Sequence, residues 1–485
     1  MSSQTVGHLA LLPLYAAAGT AVLALLADLF TGRRVVTVGA TLLGTVAVAV
    51  TAFATATAEP TFCVPGGCSW LPTWPAAVAA ALFAALTAAV LVFSTPALRL
   101  GVAPAGEFCF LLACSMTGGV VVGYAGDLIT LIVGLETLTL PLYVLVGLRR
   151  FAPGERVTTA PAAASLTFFL VSVVSTAVAL LGAALHYAAT SSIHLTAPFP
   201  AAPPFAALAG VGAALLVIGL AFKVAAVPLH AWAPTVYDGA PIPVAAYLST
   251  ASKLGGVLAL AAVVARLDTG AVVAVLAVLT MTIGNLVALR QSRMVRLLAW
   301  SSVAQAGYIL AALALGSAGV AAALAYAVFF VILELLAFGV LSALRLPGDD
   351  GGTLDDYRGA GRRSPWLGAT MVLALAGLAG LPPGLAGLFA KLTVVETLVA
   401  ANWTWLAAVV VVNAVVALAY YVRVGTVLYT LPPRVGLSAA DPVLLDAATH
   451  PHVPVPFPVR LTLALTVVAA VALGFAPQAL FNALL

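Results

Sequence analysis

Long apolar runs alternate with short polar segments along almost the whole chain. Fourteen of these runs come near the roughly 20 residues that a helix needs to cross a bilayer. They are expected to be helices, because a lipid-embedded backbone must pair its own polar groups and the alternating strands of a barrel are absent. Their approximate extents are 10–29, 35–56, 76–95, 105–125, 128–148, 162–185, 205–229, 243–265, 271–289, 295–315, 318–343, 366–399, 404–429 and 460–481. The pattern predicts an all-α polytopic membrane protein.

Composition agrees with this class, since 63% of the 485 residues are hydrophobic and 7% are charged, against about 25% charged in soluble domains. Lipid is therefore an expected partner. Nucleic acid is not, because no basic cluster alternates with aromatic residues. The N-terminal MSSQTVGHLA has no basic stretch typical of a secretion signal, so the first run is expected to remain as a span.

The arginines predict the orientation in the membrane. Only Arg266 follows an even-numbered run. The segments after odd-numbered runs hold Arg33, Arg34, Arg99, Arg149, Arg150, Arg156, Arg290, Arg293, Arg296, Arg345, Arg358, Arg362, Arg363, Arg434 and Arg460. Because basic loops stay in the cytoplasm, both termini are expected on the outer face of a plasma membrane.

The cysteines fit the same orientation. Cys63 and Cys68 lie in FCVPGGCSW, on the predicted outer face, where an oxidising environment permits a disulfide. Two free thiols are the alternative interpretation. Cys109 and Cys114 fall within the fourth run and are expected to be small core residues.

The chain has only three lysines, Lys223, Lys253 and Lys391, and each lies inside an apolar run. A charge at that depth costs about 2.5–3.5 kcal/mol on insertion scales, so such residues are expected to be functional. Burial disfavours the charged form of a lysine, whereas a nearby carboxylate favours it. A lysine under both influences can exchange a proton, which an arginine cannot.

Glu136 lies about halfway along the fifth run, with Pro141 five residues later. One interpretation is a structural carboxyl group, satisfied by a hydroxyl or by a backbone carbonyl. The other is an ion pair with a buried lysine, for which Lys223 is the best candidate. His230 follows Lys223 by seven residues and is either a proton relay or a hydrogen-bonded structural group. Ser249 precedes Lys253 by one helical turn.

Two runs are expected to be discontinuous helices: the seventh, which contains Pro228, and the twelfth, which contains Gly380, Pro382, Pro383 and Gly384. Non-helical backbone at membrane depth is tolerated where it faces protein or a water-filled cavity, and it marks transport sites. Lys391 follows the second break. Glu136, Lys223, Lys253 and Lys391 are expected to form an ionisable row. Glu334 in the eleventh run is a further buried carboxylate and a further candidate for proton transfer.

The positions of the two breaks indicate internal symmetry. Five runs fall in 104–267 and five in 268–430, and an odd number of spans inverts the second unit in the membrane. The expected organisation is three N-terminal spans (1–103), two inverted five-helix repeats, and a loop with the final span (431–485).

Six segments resemble the antiporter-like membrane subunits of respiratory complex I. They are GLETLTLPLYVLVGL, AFKVAAVPLHAWAPTVYDGAPIPV, YLSTASKLGG, RMVRLLAWSSVAQAGYIL, TLDDYRGAGRRSP and GLAGLPPGLAGLFAK. The resemblance covers nearly the whole chain. Within the family, VYDGAPIPV followed by STASK is most similar to subunit N of bacterial NADH-quinone oxidoreductase, and Lys391 stands where subunit M typically has Glu.

The resemblance implies proton translocation coupled to quinone reduction elsewhere in a translocase. Glu136 would pair with the switching Lys223, Lys253 would be the next carrier, and Lys391 the terminal one. His230 matches a histidine between the first two lysines. The family often has His where this chain has Gln305, which cannot titrate, so a relay there would need water or the amide as a bridge.

The implied partners are other complex I membrane subunits, especially neighbouring antiporter-like and small ones. NADH, FMN, iron–sulfur clusters and a quinone would bind other subunits, with no cofactor or metal in this chain. A cation/proton antiporter subunit would use the same ionisable row and is the alternative function. A purely structural scaffold is the third interpretation, under which all three lysines can be neutralised without loss of pumping.

Overall fold

The computed structural model describes residues 6–149, 159–195, 203–431 and 454–484, and nearly all of its regular structure is helical. The α-helices are α1 (Leu12–Thr31), α2 (Arg34–Ala54), α3 (Trp74–Arg99), α4 (Ala105–Tyr124), α5 (Leu128–Gly147), α6 (Ala160–Thr190), α7 (Ala206–Ala221), α8 (Trp232–Gly239), α9 (Ile242–Tyr247), α10 (Lys253–Val264), α11 (Gly270–Ala288), α12 (Met294–Leu313), α13 (Val320–Leu344), α14 (Ala360–Arg363), α15 (Pro365–Ala379), α16 (Leu385–Ala400), α17 (Thr404–Tyr429), α18 (Phe457–Phe475) and α19 (Pro477–Leu484). Within the described ranges, eleven helical stretches are long and apolar enough to span a membrane. The predicted polytopic helical class is confirmed.

Both expected interruptions are present. The seventh run is helical only to Ala221, short of the expected limit at 229, because Ala225 adopts a left-handed conformation (φ 59°) and Ala226 N–H closes onto the Ala221 carbonyl. The twelfth run is divided into α15 and α16. Helix α15 ends at Ala379, and the following Gly380 has φ 82°, a conformation that glycine adopts without strain. The backbone conformation at Ala225 and at Gly380 therefore accounts for the two helix breaks next to Lys223 and Lys391.

The final run also differs from its expected extent of 460–481. Helix α18 ends at Phe475, and the short α19 starts at Pro477. Proline has no N–H to donate to the preceding turn and its ring crowds the carbonyl there, so it ends a helix. The last span is accordingly shorter than the apolar run that encodes it.

Small residues let the helices approach closely. A side chain at Gly118 of α4 would overlap the α5 backbone at Leu138, and one at Gly307 of α12 would overlap α11 at Met281. Such contacts replace the hydrophobic driving force that is lacking between helices in lipid. Helix α13 is buried along most of its length and packs against α10, α12, α15, α16 and α18. Its side chains therefore lie at the centre of the bundle.

A hairpin follows α2, with strand β1 (Thr61–Val64) antiparallel to β2 (Gly67–Trp70). Cys63 and Cys68 face each other across it and form a disulfide, so the first of the two interpretations is the one observed. The Trp70 ring stacks on Tyr124 with centroids 4.6 Å apart, and its indole N–H donates to the Ala10 carbonyl at 2.8 Å. The hairpin is thus fixed against the end of α4.

Alkylation without reductant is expected to label Cys109 and Cys114 but neither Cys63 nor Cys68, because the latter pair is already oxidised. Labelling of the denatured protein and intact-mass analysis, with and without a reductant, would measure this. Reduction should add two further labels. Labels on Cys63 and Cys68 in the unreduced protein would contradict the pairing.

An ion-pair network occupies the connection between α11 and α12. Arg293 contacts Asp238 at 2.8 Å and Asp350 at 3.0 Å, and Arg345 contacts Asp349 at 3.5 Å. Burial opposes the charged form of Asp350, but hydrogen bonding and charge from Arg293 outweigh it, so the pKa of this carboxyl lies below its usual range. The network joins the loop after α13 to the last turn of α8.

Candidate functional site

Lys223 lies just beyond the end of α7, in the non-helical segment that precedes α8. Its side chain is 5% exposed, and its ammonium group donates to Glu136 Oε1 at 2.7 Å, Ser172 Oγ at 3.1 Å and Thr139 Oγ1 at 3.2 Å. These contacts use all three donors of an ammonium group. A buried charge is tolerated when it is paired and hydrogen-bonded in this way.

Glu136 on α5 has both kinds of partner that the sequence left open. It pairs with Lys223, and its Oε1 also accepts a hydrogen bond from Thr176 Oγ1 at 2.7 Å. Unlike the lysine, Glu136 is 28% exposed. On the same face of α5, Val133 and Leu140 are largely exposed. The carboxylate therefore lies where the interior of the chain meets its apolar outer surface.

Three hydroxyl groups at this site were not identified from the sequence. Thr139 is three residues from Glu136 on α5, and Ser172 and Thr176 are one turn apart on α6. Their spacing was the available clue, since residues at i and i+3 or i+4 share a helix face. Hydroxyl groups are too common in membrane helices for that spacing alone to select these three.

Lys253 is 2% exposed and begins α10, directly after a π-helical segment at Leu248–Ser252. Its Nζ donates to the Ser302 carbonyl of α12 at 2.5 Å and lies 5.8 Å from the Phe330 ring centroid. Ser249, expected on the same face, donates instead to the Ala246 carbonyl. A π-segment adds a residue to a helical turn and is frequent at functional sites.

Lys391 on α16 is 7% exposed and is anchored by the first half of the broken twelfth run. Its Nζ donates to the carbonyls of Leu378 at 2.6 Å and Ala379 at 2.7 Å. Those carbonyls end α15, where the last C=O groups of a helix lack intrahelical partners and the helix dipole is negative. The break thus creates the acceptor site for this cation.

Gln305 connects two of the lysine sites. Its Nε2 donates to the same Leu378 carbonyl at 2.9 Å and to Tyr421 Oη at 2.9 Å, while its Oε1 accepts from Tyr326 Oη at 2.6 Å. Ser302, whose carbonyl holds Lys253, lies one turn earlier on α12. One face of α12 therefore supplies the carbonyl that binds Lys253 and contacts a carbonyl that binds Lys391.

The other neighbours in the row are also close. A Cβ atom at Gly256 of α10 would lie 2.9 Å from Lys223 Cβ, so Lys223 packs against α10 one turn beyond Lys253. His230 is half-buried; its Nδ1 lies 3.3 Å from the Pro228 carbonyl and its ring 5.1 Å from the Trp300 centroid. Neither of these contacts is with a lysine of the row.

Glu334 on α13 has no exposed surface. In the described part of the chain, neither of its carboxylate oxygens has a hydrogen-bond partner. It is near enough to Lys253 for their charges to interact. Glu334 therefore belongs to the interior that holds the row, and its role in proton transfer stays a prediction.

Residues 125–417 match the family described as NADH:quinone oxidoreductase/Mrp antiporter, TM. NADH-quinone oxidoreductase subunit N of Salinispora tropica is 55% identical, with 98% of each chain covered. NADH-quinone oxidoreductase subunit N 2 of Streptomyces griseus is 42% identical, over 77% of this chain and 73% of that one.

Two solved structures share the fold. A chain of respiratory complex I from Thermus thermophilus aligns with a TM-score of 0.80 and 29% identity, over 97% of this chain and 98% of that one. A chain of the Mrp complex from a Dietzia species aligns with a TM-score of 0.79 and 22% identity, over 98% and 95% of the respective chains. The second likeness concerns the fold alone.

Proposed function

Because the chain belongs to the NADH:quinone oxidoreductase/Mrp antiporter family of transmembrane proteins, we propose that it translocates protons as subunit N of a bacterial NADH-quinone oxidoreductase. The observation that carries the proposal is the Glu136–Lys223 ion pair, at 2.7 Å, with the lysine side chain buried. Lys253 and Lys391 continue the row, and His230 and Gln305 are the further proton-transfer or bridging residues. NADH, FMN, iron–sulfur clusters and the quinone act in other subunits.

The pair supplies a means of coupling. Two unit charges about 4 Å apart attract by about 4 kcal/mol at the effective dielectric of a partly screened protein site. Moving one charge across 100 mV costs about 2.3 kcal/mol. The attraction that is lost when Glu136 moves away from Lys223 would therefore exceed the energy needed to move a proton across that potential, so the lysine could release its proton.

The exposed side of Glu136 supports a neighbouring membrane subunit as partner. A carboxylate open to lipid is costly, and the surrounding α5 surface at Val133 and Leu140 is apolar. A second helix bundle covering this face would exclude lipid from the pair. Motion of that neighbour could then change the Glu136–Lys223 distance.

Fourteen spans and the inverted repeats are part of the same proposal. The eleven long apolar stretches would be joined by α12, by α7 with α8, and by α15 with α16. The repeats would be 104–267 and 268–430, after three N-terminal spans (1–103) and before the loop and last span (431–485). The arginine distribution favours outer termini in a plasma membrane, and the Cys63–Cys68 disulfide suits that outer face.

Glu136→Gln is expected to lower proton translocation about tenfold, the loss that corresponds to about 1.4 kcal/mol. The amide preserves the shape of the side chain but removes its charge from Lys223. NADH-driven proton uptake into membrane vesicles that carry the assembled complex would measure the effect. Glu107→Gln, in the exposed first turn of α4, is the matched control. Parental uptake in Glu136→Gln would refute the assignment.

A cation/proton antiporter subunit remains the second candidate, because the Mrp chain has the same fold. The named relatives at 55% and 42% identity favour the oxidoreductase. Affinity purification from native membranes distinguishes the two. Co-purifying redox subunits support the first function, whereas their absence beside other antiporter subunits supports the second.

A further inference from the structure

Glu334 lies in the bundle centre without a hydrogen-bond partner in the described ranges, and two neighbouring side chains share this property. Ser302 Oγ and Tyr237 Oη are also buried and have no hydrogen-bond partner in the described ranges, and the two side chains are neighbours. Tyr237 is near enough to Glu334 for electrostatic interaction. Three unpartnered polar side chains are thus grouped in one place.

Lys253 borders this group on its other side. Its Nζ donates to the carbonyl of Ser302, the residue whose hydroxyl is unpartnered. It also lies 5.8 Å from the ring of Phe330, which is one turn from Glu334 on α13. No direct ion pair between Lys253 and Glu334 is formed in the described structure, yet their charges interact. The two groups are therefore neighbours without a direct contact.

Bound water is the ligand that can satisfy buried polar groups of this kind. A buried polar group without a hydrogen bond costs roughly 1–3 kcal/mol, and more when it is charged. Buried waters typically bridge about three otherwise unsatisfied groups. This cluster offers an ammonium and two hydroxyl groups as donors and a carboxylate as acceptor, the set of groups that a bridging water needs.

We propose that Glu334 is the carboxylate partner of Lys253, joined to it by bound water that Tyr237 and Ser302 hold in place, and that the pair exchanges a proton. The proposal rests on the proton-translocating function above. In the step, an N–H bond of Lys253 breaks as the water oxygen takes the proton, and the water passes one of its own protons to a Glu334 oxygen. An ammonium and a carboxylate become an amine and a carboxylic acid, with no change in net charge.

The row then contains two Glu–Lys pairs that differ in kind. Glu136 contacts Lys223 directly and is partly exposed, so a neighbouring subunit can act on it. Glu334 is enclosed within the chain and contacts Lys253 through water. The enclosed pair can hold a proton between the first lysine and Gln305 without placing an unbalanced charge in the bundle centre.

Glu334→Gln in the assembled complex is expected to slow proton translocation about tenfold, as when a hydrogen bond to a charged group is lost. Tyr237→Phe, which keeps the carboxylate but removes one group that holds the water, is expected to slow it about fivefold. Glu396→Gln, on an exposed position of α16, is the matched control and should pump as the parent does. The assay is NADH-driven proton uptake by proteoliposomes.

Infrared difference spectroscopy provides a second test, because a Glu334 with a purely structural role would show no protonation change during turnover. A carboxylic acid C=O band that responds to turnover should be lost in Glu334→Gln and kept in Glu396→Gln. If Glu334→Gln does not assemble, Tyr237→Phe decides. Parental pumping in Tyr237→Phe, or in an assembled Glu334→Gln, overturns the pair. If Lys223→Met is inactive in the same assay, that result contradicts only the Glu334–Lys253 pair. Proton pumping by Lys223→Met would contradict the proposed function as well.

Discussion

Replacing Lys223 with Met is expected to reduce proton translocation by about a hundredfold or more, the range of a lost proton-transfer group. Methionine has similar length and reach but no proton to exchange. Glu136 then loses its cation and keeps only the hydrogen bond from Thr176. Because Glu136 is 28% exposed, the structural cost should stay below the ~3–5 kcal/mol of breaking a fully buried pair.

Lys223→Arg separates charge from proton exchange. The guanidinium preserves a positive group near Glu136 but does not release a proton in proteins. It should therefore assemble like the parent and pump no better than Lys223→Met. The measurement is the initial rate of NADH-driven proton uptake, normalised to the amount of assembled complex. Near-parental pumping by Lys223→Arg would show that Lys223 has an electrostatic role only.

The helical class was accessible from the sequence because lipid imposes a simple rule on the backbone. An apolar run of spanning length has to be a helix, so the run expected over 404–429 is α17 itself (Thr404–Tyr429). The two helix breaks were predictable because proline and glycine within an apolar run interrupt a helix. The end of α7 at Ala221 was not predictable. It follows from the left-handed conformation of Ala225, and alanine gives no sequence signal for that conformation.

The partners of the lysines were only partly accessible. The Glu136–Lys223 pair was predicted because both residues are unusual at that depth, and the two side chains do meet. Lys253 and Lys391 instead donate to the main-chain carbonyls of Ser302, Leu378 and Ala379. Every residue has a carbonyl group, so composition and spacing carry no information on which ones are used. The relay role of His230 stays a prediction.

Close approach of α15 and α16 is what brings Lys391 to its carbonyls. A side chain at Gly387 would overlap the carbonyl group of Gly377, and one at Gly384 would overlap the Gly377 amide. Leu378 and Ala379 follow Gly377 directly, and Lys391 is one turn beyond Gly387. The glycines therefore set the distance between the ammonium and the negative end of α15.

Gly387→Val is expected to lower the free energy of unfolding by about 3 kcal/mol, at the upper end for overpacking, because backbone rather than a flexible side chain obstructs the new group. The two half-helices must separate, which also withdraws Lys391 from Leu378 and Ala379. Proton translocation should fall together with stability. Thermal unfolding of the purified complex and the proton-uptake assay measure the two effects.

Gly425→Val in α17 is the matched control, because nothing lies within 4 Å of a Cβ atom at that position. Both substitutions place the same β-branched residue in a helix, so their difference isolates the contact with Gly377 from helix propensity. Gly387→Ala should lie between them. If Gly387→Val unfolds and pumps like Gly425→Val, then the broken helix does not need its close contact, and the anchoring of Lys391 by the end of α15 is not what sustains transport.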